Sequence, residues 1–320
     1  MGEPLLATDR LTKVFALRHG LLARRVRLVA VDHVSLTIDA GETLGLVGES
    51  GCGKSTLGLT IMRLYEPSGG QIRFAGQNLV GLNARGLRDA RRQMQMIFQD
   101  PLASLDPRLT VGQIVAEPLD IHAIGTPAER AMAVRRLLER VGLAADAAGR
   151  FPNEFSGGQQ QRIGIARALA LKPRLLICDE AVSALDVSVQ AQILNLLRDL
   201  QAEFGLAFLF ISHNIAVTAL MSRRIGVMYL GQLVEVGPSQ AIVEAPRHPY
   251  TQALLAAVPT PDPTRRRRRQ AVQGDVPSPL ERPSGCPFHP RCPLAQAICT
   301  VEEPQLRTLA PAHQVACHFA

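Results

Sequence analysis

Gly48-Glu49-Ser50-Gly51-Cys52-Gly53-Lys54-Ser55-Thr56 fits the pattern G-x-x-x-x-G-K-[ST], and no other stretch limits so strongly what this chain can fold into. Glycines at those places let backbone N–H groups turn inward around phosphate oxygens, and the helix that follows adds its positive end. Lys54 is placed to neutralise charge on a β- or γ-phosphate, and Ser55 offers a hydroxyl to Mg²⁺. The loop needs a buried strand before it and a helix after it. Leu44 to Val47 is a compact apolar run ending at a glycine, and an apolar stretch follows Thr56. Only Lys13, Lys54 and Lys172 are lysine among 35 basic residues, so a lysine at this motif position is telling.

Leu175-Leu176-Ile177-Cys178-Asp179-Glu180 is the second element. A buried strand there delivers Asp179 to its C-terminal end, where ligands sit in open α/β sheets. Asp179 is expected to hold Mg²⁺ and Glu180 to polarise an attacking water. From 161 to 236 strands and helices alternate: a strand Leu175–Cys178, a helix Val187–Phe204, a strand Phe208–Ile211, and a hairpin over Ile225–Val236 turning at Gly231-Gln232. That alternation predicts a mainly parallel sheet with crossover helices. Residues 1 to about 80 read as short strands and turns, among them Val29–Ile38 and a hairpin arm Gln71–Phe74. Residues 111–150 read as helical, with Met132, Leu137, Leu138 and Val141 on one face. A helix bearing Tyr250, Ala253, Leu254, Ala257 and Val258 stops at Pro259, Pro261 and Pro263, where a linker begins.

Composition narrows the class. Hydrophobic residues make up 47% of 320, enough apolar surface to oppose global disorder. No strictly apolar run exceeds six residues, the length of Leu206–Ile211, whereas a spanning helix needs about 20. The start, with Glu3 and Asp9, does not read as a secretory signal. The net charge of +7 points to an anionic partner without choosing among nucleotide, nucleic acid and membrane surface. Arg265 to Arg269 reads as a solvated linker run, with contact to anionic lipid headgroups as the alternative.

Ser156-Gly157-Gly158-Gln159-Gln160 separates the phosphate-loop families. With it the chain resembles the ATP-binding cassette (ABC) ATPases, whose signature is LSGGQ; Phe155 stands here for the usual Leu. The resemblance implies an α/β fold, an ABC-type P-loop nucleotide-binding domain over 1–258. That domain has a RecA-like core, an antiparallel β lobe and a helical subdomain at about 100–160. Residues 259–320 follow as a Pro/Arg-rich linker and a small cysteine-containing C-terminal extension. It also implies ATP and Mg²⁺ as ligands and assigns roles. Phe15 stacks on adenine. Gly48, Ser50, Gly51, Cys52, Gly53, Lys54, Ser55 and Thr56 cradle phosphate. Ser55, Gln99 and Asp179 hold Mg²⁺. Glu180 and His213 are catalytic. Ser156, Gly157, Gly158 and Gln159 face the γ-phosphate bound by another subunit, and Asp186, in Ser183-Ala184-Leu185-Asp186, communicates across that dimer.

Five segments look like one subfamily, the ATPase subunits of dipeptide and oligopeptide importers. They are Gln95 to Gly112, where the family pattern has Asn at Asp106; Ala116-Glu117-Pro118-Leu119; Ala181 to Gln192; Arg247-His248-Pro249-Tyr250-Thr251; and the cysteine segment. The first two look most like the F-type subunit of such importers. Nickel and other solute importers share the subfamily. The resemblance implies a peripheral protein on the cytoplasmic side of the inner membrane. Its expected partners are a second homologous ABC ATPase in a heterodimer, two transmembrane permeases and, indirectly, an extracytoplasmic substrate-binding protein, with no nucleic acid. The competing reading, a soluble ABC ATPase acting on nucleic acid or ribosomes, expects two fused cassettes or long coiled coils, and this chain has one phosphate loop and no sustained heptads.

Cys286, Cys292, Cys299 and Cys317 fall within the last 35 residues, a spacing that suits metal more than disulfides. Thiolates are soft ligands, suited to Zn²⁺ or an iron–sulfur cluster. For the zinc alternative His289, His313 and His318 lie nearby. The family resemblance favours a [4Fe–4S] cluster. Cys52 and Cys178 are read as small residues rather than metal ligands.

Overall fold

A computed structural model describes residues 3–18, 25–258 and 277–320. The arginine run 265–269 and its reading as a linker lie outside the described residues. The chain divides into two compact units: Met1–Ile38, Thr43–Gly81 and Phe210–Ala320 in the first, Asp39–Glu42 and Leu82–Leu209 in the second.

In chain order the strands are β1 (Leu6–Arg18), β2 (Arg25–Ile38), β3 (Thr43–Val47), β4 (Gly69–Phe74), β5 (Gln77–Asn78), β6 (Met94–Ile97), β7 (Leu175–Asp179), β8 (Ala207–Ser212), β9 (Arg224–Tyr229), β10 (Gln232–Pro238), β11 (Arg307–Ala310) and β12 (His313–Val315).

The first unit holds an antiparallel sheet in the order β2-β1-β4-β5. Leu6 and Thr8 alternate inward on β1, but the next buried residue is Leu11. A strict two-residue period would turn Leu11 to solvent. Register shifts between Thr8 and Leu11 absorb the extra residue, and Arg10 takes a positive φ of 45° there. In the same unit β3 pairs in parallel with β9, while β9, β10, β12 and β11 follow one another antiparallel. In this unit the pairing is therefore mixed, the predicted hairpin and the tail strands adding antiparallel pairs beside the parallel β3–β9 pair. The hairpin expected at Gly231-Gln232 is present. Leu230 and Gly231 both have positive φ, 42° and 87°, as a two-residue turn with matching twist requires.

The cysteine tail docks on the edge of this sheet. β12 pairs with β10, and Ala316 N–H donates to the Val234 carbonyl at 2.8 Å. Phe288 is buried edge-on to Tyr229 at 5.3 Å between ring centres and 5.4 Å from Tyr250. At the seam lies Glu235, with no exposed surface. Its carboxylate accepts the amides of Arg247 (2.8 Å) and His248 (3.0 Å), and His313 Nε2 sits 2.8 Å from Oε1. A buried carboxylate is tolerated only when its lone pairs are filled this way.

In the second unit β6 and β7 pair in parallel; every residue of β7 is buried, as is every residue of β8, of which residues 207–209 belong here. That burial is why both read as unbroken apolar runs. The helices Val111–Ile121 and Pro127–Arg140 each begin with a capping box, from Thr110 and Gln113 and from Thr126 and Glu129. The buried face of the latter helix is Val134 and Leu138, continued by Val141; Met132 is 52% exposed, so the expected face is rotated.

Glu235→Ala is expected to lower the thermal midpoint strongly, because it leaves the buried His248 amide, the part-buried Arg247 amide and His313 without their acceptor, at a cost of about 3 kcal/mol or more. Thermal unfolding of the variant checks this, and a wild-type midpoint would refute the role given to Glu235.

Candidate functional site

In the first unit the chain leaves β3 at Val47 and turns through Gly48–Gly53 into the helix Lys54–Ile61. Two glycines make that path possible. A Cβ on Gly48 would meet the Met228 carbonyl oxygen at 2.2 Å; one on Gly53, at φ +107°, would meet the Ala30 carbonyl oxygen at 2.1 Å. Gly53 is the helix N-cap and no side chain caps it, the arrangement that an anion completes. Gly231 N–H donates to the Cys52 carbonyl at 2.8 Å and ties the loop to the β9–β10 turn. Lys54 is buried. Its Nζ donates to the carbonyls of Gly48 (2.8 Å) and Glu49 (2.9 Å), so the ammonium is aimed across the loop. Burial pushes the Cys52 thiol up, and it packs as a neutral group. Ser50 and Gly51 are exposed at the tip, with Ser55 and Thr56 half-buried behind them.

Two more expected residues lie in this unit. Phe15 is half-buried edge-on to Tyr65 at 5.2 Å, with Lys13 Nζ over its ring at 4.8 Å. His213 is exposed on the turn between β8 and the helix Ile215–Met221. Asn214 fixes that turn: its side chain accepts from the amides of Ala216 and Val217, and its own amide donates to Ser212 Oγ at 3.0 Å.

In the second unit β7 ends at Asp179, which is buried. Glu180 follows with φ +47°, a left-handed conformation that costs a non-glycine residue on the order of 1–3 kcal/mol. Ser183 holds it there, its amide and hydroxyl both donating to the Glu180 carbonyl at 3.0 and 2.9 Å. Gln99, 81 residues upstream, donates from Nε2 to Glu180 Oε2 at 3.1 Å. The expected Gln99, Asp179 and Glu180 are thus brought together. Ser156 caps the helix Gly157–Leu169 through a capping box with Gln159. Ile163, Ala166 and Leu169 turn inward. Asp186 caps the helix Val187–Phe204; the hydrogen bonds it accepts from Val189 N–H (2.9 Å) and the Ser188 hydroxyl (2.7 Å) hold its carboxyl below the usual range.

Sequence reasoning used Pro101–Arg108 only as a subfamily marker. In the structure Ala103–Leu109 wall a cavity of about 640 Å³ shared with Ile114, Glu117 and Arg167. Asp106, which departs from the family pattern, is hydrogen-bonded to Arg108 at 2.7 Å, which holds its carboxyl down at about 2.

Cys286, Cys292, Cys299 and Cys317 line one cavity of about 20 Å³ with Phe288 and His318. Among the described residues, however, no three His, Cys, Asp or Glu side chains stand close enough to hold a metal ion. The four thiols thus face a common space without forming such a group. The histidines of the zinc alternative are engaged elsewhere, His313 with Glu235, His289 with the Cys286 carbonyl and His318 with the Glu302 carbonyl.

Residues 31–183 match the ABC transporter family, and residues 234–299 match the oligopeptide/dipeptide transporter C-terminal region. Over 319 residues the chain is 53% identical to a probable peptide ABC transporter ATP-binding protein of Sinorhizobium fredii, across 99% of this chain and 90% of that one. The chain belongs to the ABC transporter ATP-binding proteins. Another member, the oligopeptide transport ATP-binding protein AppF of Bacillus subtilis, is 52% identical over 99% of this chain and 98% of its own. Among solved structures, an ATP-binding cassette captured as a dimer in a post-hydrolysis state with ADP and Pi aligns with a TM-score of 0.65 at 30% identity, over 73% of this chain and 98% of that one. A cassette of Clostridium perfringens, part of the ABC transporter complex cbiONQ, aligns with a TM-score of 0.64 at 25% identity, over 75% and 91%. Membership makes this protein an ABC-type ATPase with an α/β P-loop fold.

Proposed function

We propose that this protein hydrolyses ATP to energise the import of di- or oligopeptides through a membrane ABC transporter. The observation that carries the proposal is identity above 50% along nearly the whole chain to proteins named for peptide and oligopeptide transport, the cysteine tail included. Among the described residues no helix is long and apolar enough to cross a membrane. In this reading the chain is peripheral, on the cytoplasmic side, and two separate permeases carry the solute, fed by an extracytoplasmic binding protein. The cavity walled by Ser104, Asp106, Glu117 and Arg167 would receive a permease segment.

The residues divide the work. The amides of Gly48–Thr56 and the Lys54 ammonium would hold the triphosphate, and Phe15 would stack on the adenine. Ser55, Gln99 and Asp179 are hard oxygen donors that suit Mg²⁺, which when bound neutralises charge on the β- and γ-phosphates. Glu180 would polarise the attacking water, Gln99 would steady its carboxylate, and His213 would sense the γ-phosphate. Ser156, Gly157, Gly158 and Gln159 would close on ATP held by a second, homologous ABC ATPase, with Asp186 at the junction. ATP then acts as the bridge between two cassettes, and hydrolysis lets them part.

Thiolates are soft ligands, and the resemblance to peptide-importer ATPases favours a cluster over a single ion. We therefore assign Cys286, Cys292, Cys299 and Cys317 to a [4Fe–4S] cluster with a structural role, and leave zinc as the alternative.

Affinity capture from detergent-solubilised membranes of the native host is expected to recover two permeases and a second ABC ATPase; ribosomal or DNA-associated proteins without a membrane partner would overturn the importer reading. Glu180→Gln is expected to bind ATP as the wild type does and to lose turnover by about 10²-fold or more, the usual worth of a positioned acid–base group. Steady-state ATPase assays check it, and near-normal hydrolysis would remove Glu180 from its role. Anaerobically purified protein is expected to carry iron and acid-labile sulfide, with Cys299→Ser losing both; zinc in their place would decide for the alternative.

A further inference from the structure

Glu49 is an odd residue for its position. It is the second residue of a loop whose amides and lysine serve a polyanion, and its carboxylate adds negative charge there. The structure gives that charge one dedicated partner. Arg291, buried in the tail, donates from both terminal nitrogens to the two oxygens of Glu49, at 2.7 and 2.9 Å. This is the bidentate fork geometry, which fixes direction as well as charge. Arg291 also lies 3.4 Å from the Tyr229 hydroxyl.

Every part of Glu49 is held. Its amide donates to the Tyr250 hydroxyl at 2.8 Å, its carbonyl accepts Lys54 Nζ at 2.9 Å, and its carboxylate takes Arg291. Arg291 is fixed in turn by the short 3₁₀ turn His289–Arg291. Its amide donates to the Phe288 carbonyl at 3.0 Å, and Cys292 follows directly. An arginine 242 residues away in sequence thus reaches the second residue of the phosphate loop.

We infer that Arg291 is a positioning residue of the nucleotide site: it cancels the Glu49 charge and draws that carboxylate away from the phosphates. The inference rests on the reading that Gly48–Thr56 binds ATP. It gives the C-terminal extension a direct part in nucleotide affinity.

The test is equilibrium binding of the non-hydrolysable analogue AMP-PNP with Mg²⁺ to the full chain. Variants are Arg291→Gln, Arg291→Lys, Glu49→Gln and the double Arg291→Gln/Glu49→Gln. Arg291→Gln frees a carboxylate beside the phosphates and is expected to weaken binding roughly tenfold at low salt, with the deficit shrinking as salt screens it. Arg291→Lys keeps the charge and should recover most of the loss. In the Arg291→Gln background, Glu49→Gln removes the freed carboxylate and should restore affinity. In ATPase assays the Arg291→Gln defect should fall on KM rather than kcat. A merely structural role would lower the thermal midpoint without rescue by Glu49→Gln. Wild-type affinity in Arg291→Gln, or a deficit that Glu49→Gln does not recover, overturns the inference. If Arg291→Gln does not fold, the double variant, which buries no unpaired charge, carries the test: near-wild-type affinity supports the inference and a tenfold loss overturns it. Failure of the wild type itself to bind AMP-PNP would instead remove the ATP reading beneath it.

Discussion

The narrow backbone path between β3 and the helix Lys54–Ile61 is what the first unit is arranged around. With Met228 and Ala30 carbonyls where side chains of Gly48 and Gly53 would be, the loop is pressed against β2 and the β9–β10 turn, and the Gly231 amide pins it. Close packing of backbone on backbone costs side-chain variety and yields rigidity. Lys54 depends on that rigidity, since its ammonium is held by two carbonyls of the same loop. A looser loop would let the lysine satisfy itself in other ways and lose its aim.

Two carboxylates of this unit, Glu235 buried and Glu49 half-buried, find their imidazole or cationic partners in the tail. Glu235 meets His313, and Glu49 meets Arg291. Neither carboxylate is sustained by its own neighbourhood alone, because a charge out of water needs compensation close at hand. The tail is therefore more than an added cap on an otherwise complete sheet. It supplies strand pairing at β10, the ring of Phe288 against Tyr229 and Tyr250, and the counter-groups for two acids. Cys286 and Cys292 bracket the turn that carries Arg291, so this short segment contributes both to the cysteine-lined cavity and to the reach of that arginine.

In the second unit the strained backbone sits where the chemistry is expected. Glu180 holds a left-handed φ, Ser183 donates two hydrogen bonds to its carbonyl, and Gln99 meets its carboxylate. The caps by Ser156 and Asp186 show how one residue type serves two ends. A short oxygen-bearing side chain that starts a helix also leaves the amides of the first turn facing outward, which is the geometry an anion needs.

What was legible in the sequence follows from how local each cause is. β3, β7 and β8 are buried on both faces, so they read directly as apolar runs, and the helix Val187–Phe204 was predicted with the bounds it has. The loop Gly48–Thr56 was legible because its spacing is fixed by backbone geometry within nine consecutive residues. Met94–Ile97 was missed because Gln95 interrupts its apolar character, and Arg307–Ala310 because it is an exposed edge strand with no inward face to leave a period. The register shift that lets Thr8 and Leu11 share a face of β1 erases the alternation that would have announced it. The Arg291–Glu49 pair lies at the far end of this scale. Arginine in a Pro- and Cys-rich tail and glutamate in a Gly-rich loop each have an ordinary solvent-facing explanation on their own. Only the docking of β12 on β10 and of Phe288 on the tyrosines brings them within reach, so tertiary packing and not local pattern decides which charges of this chain meet.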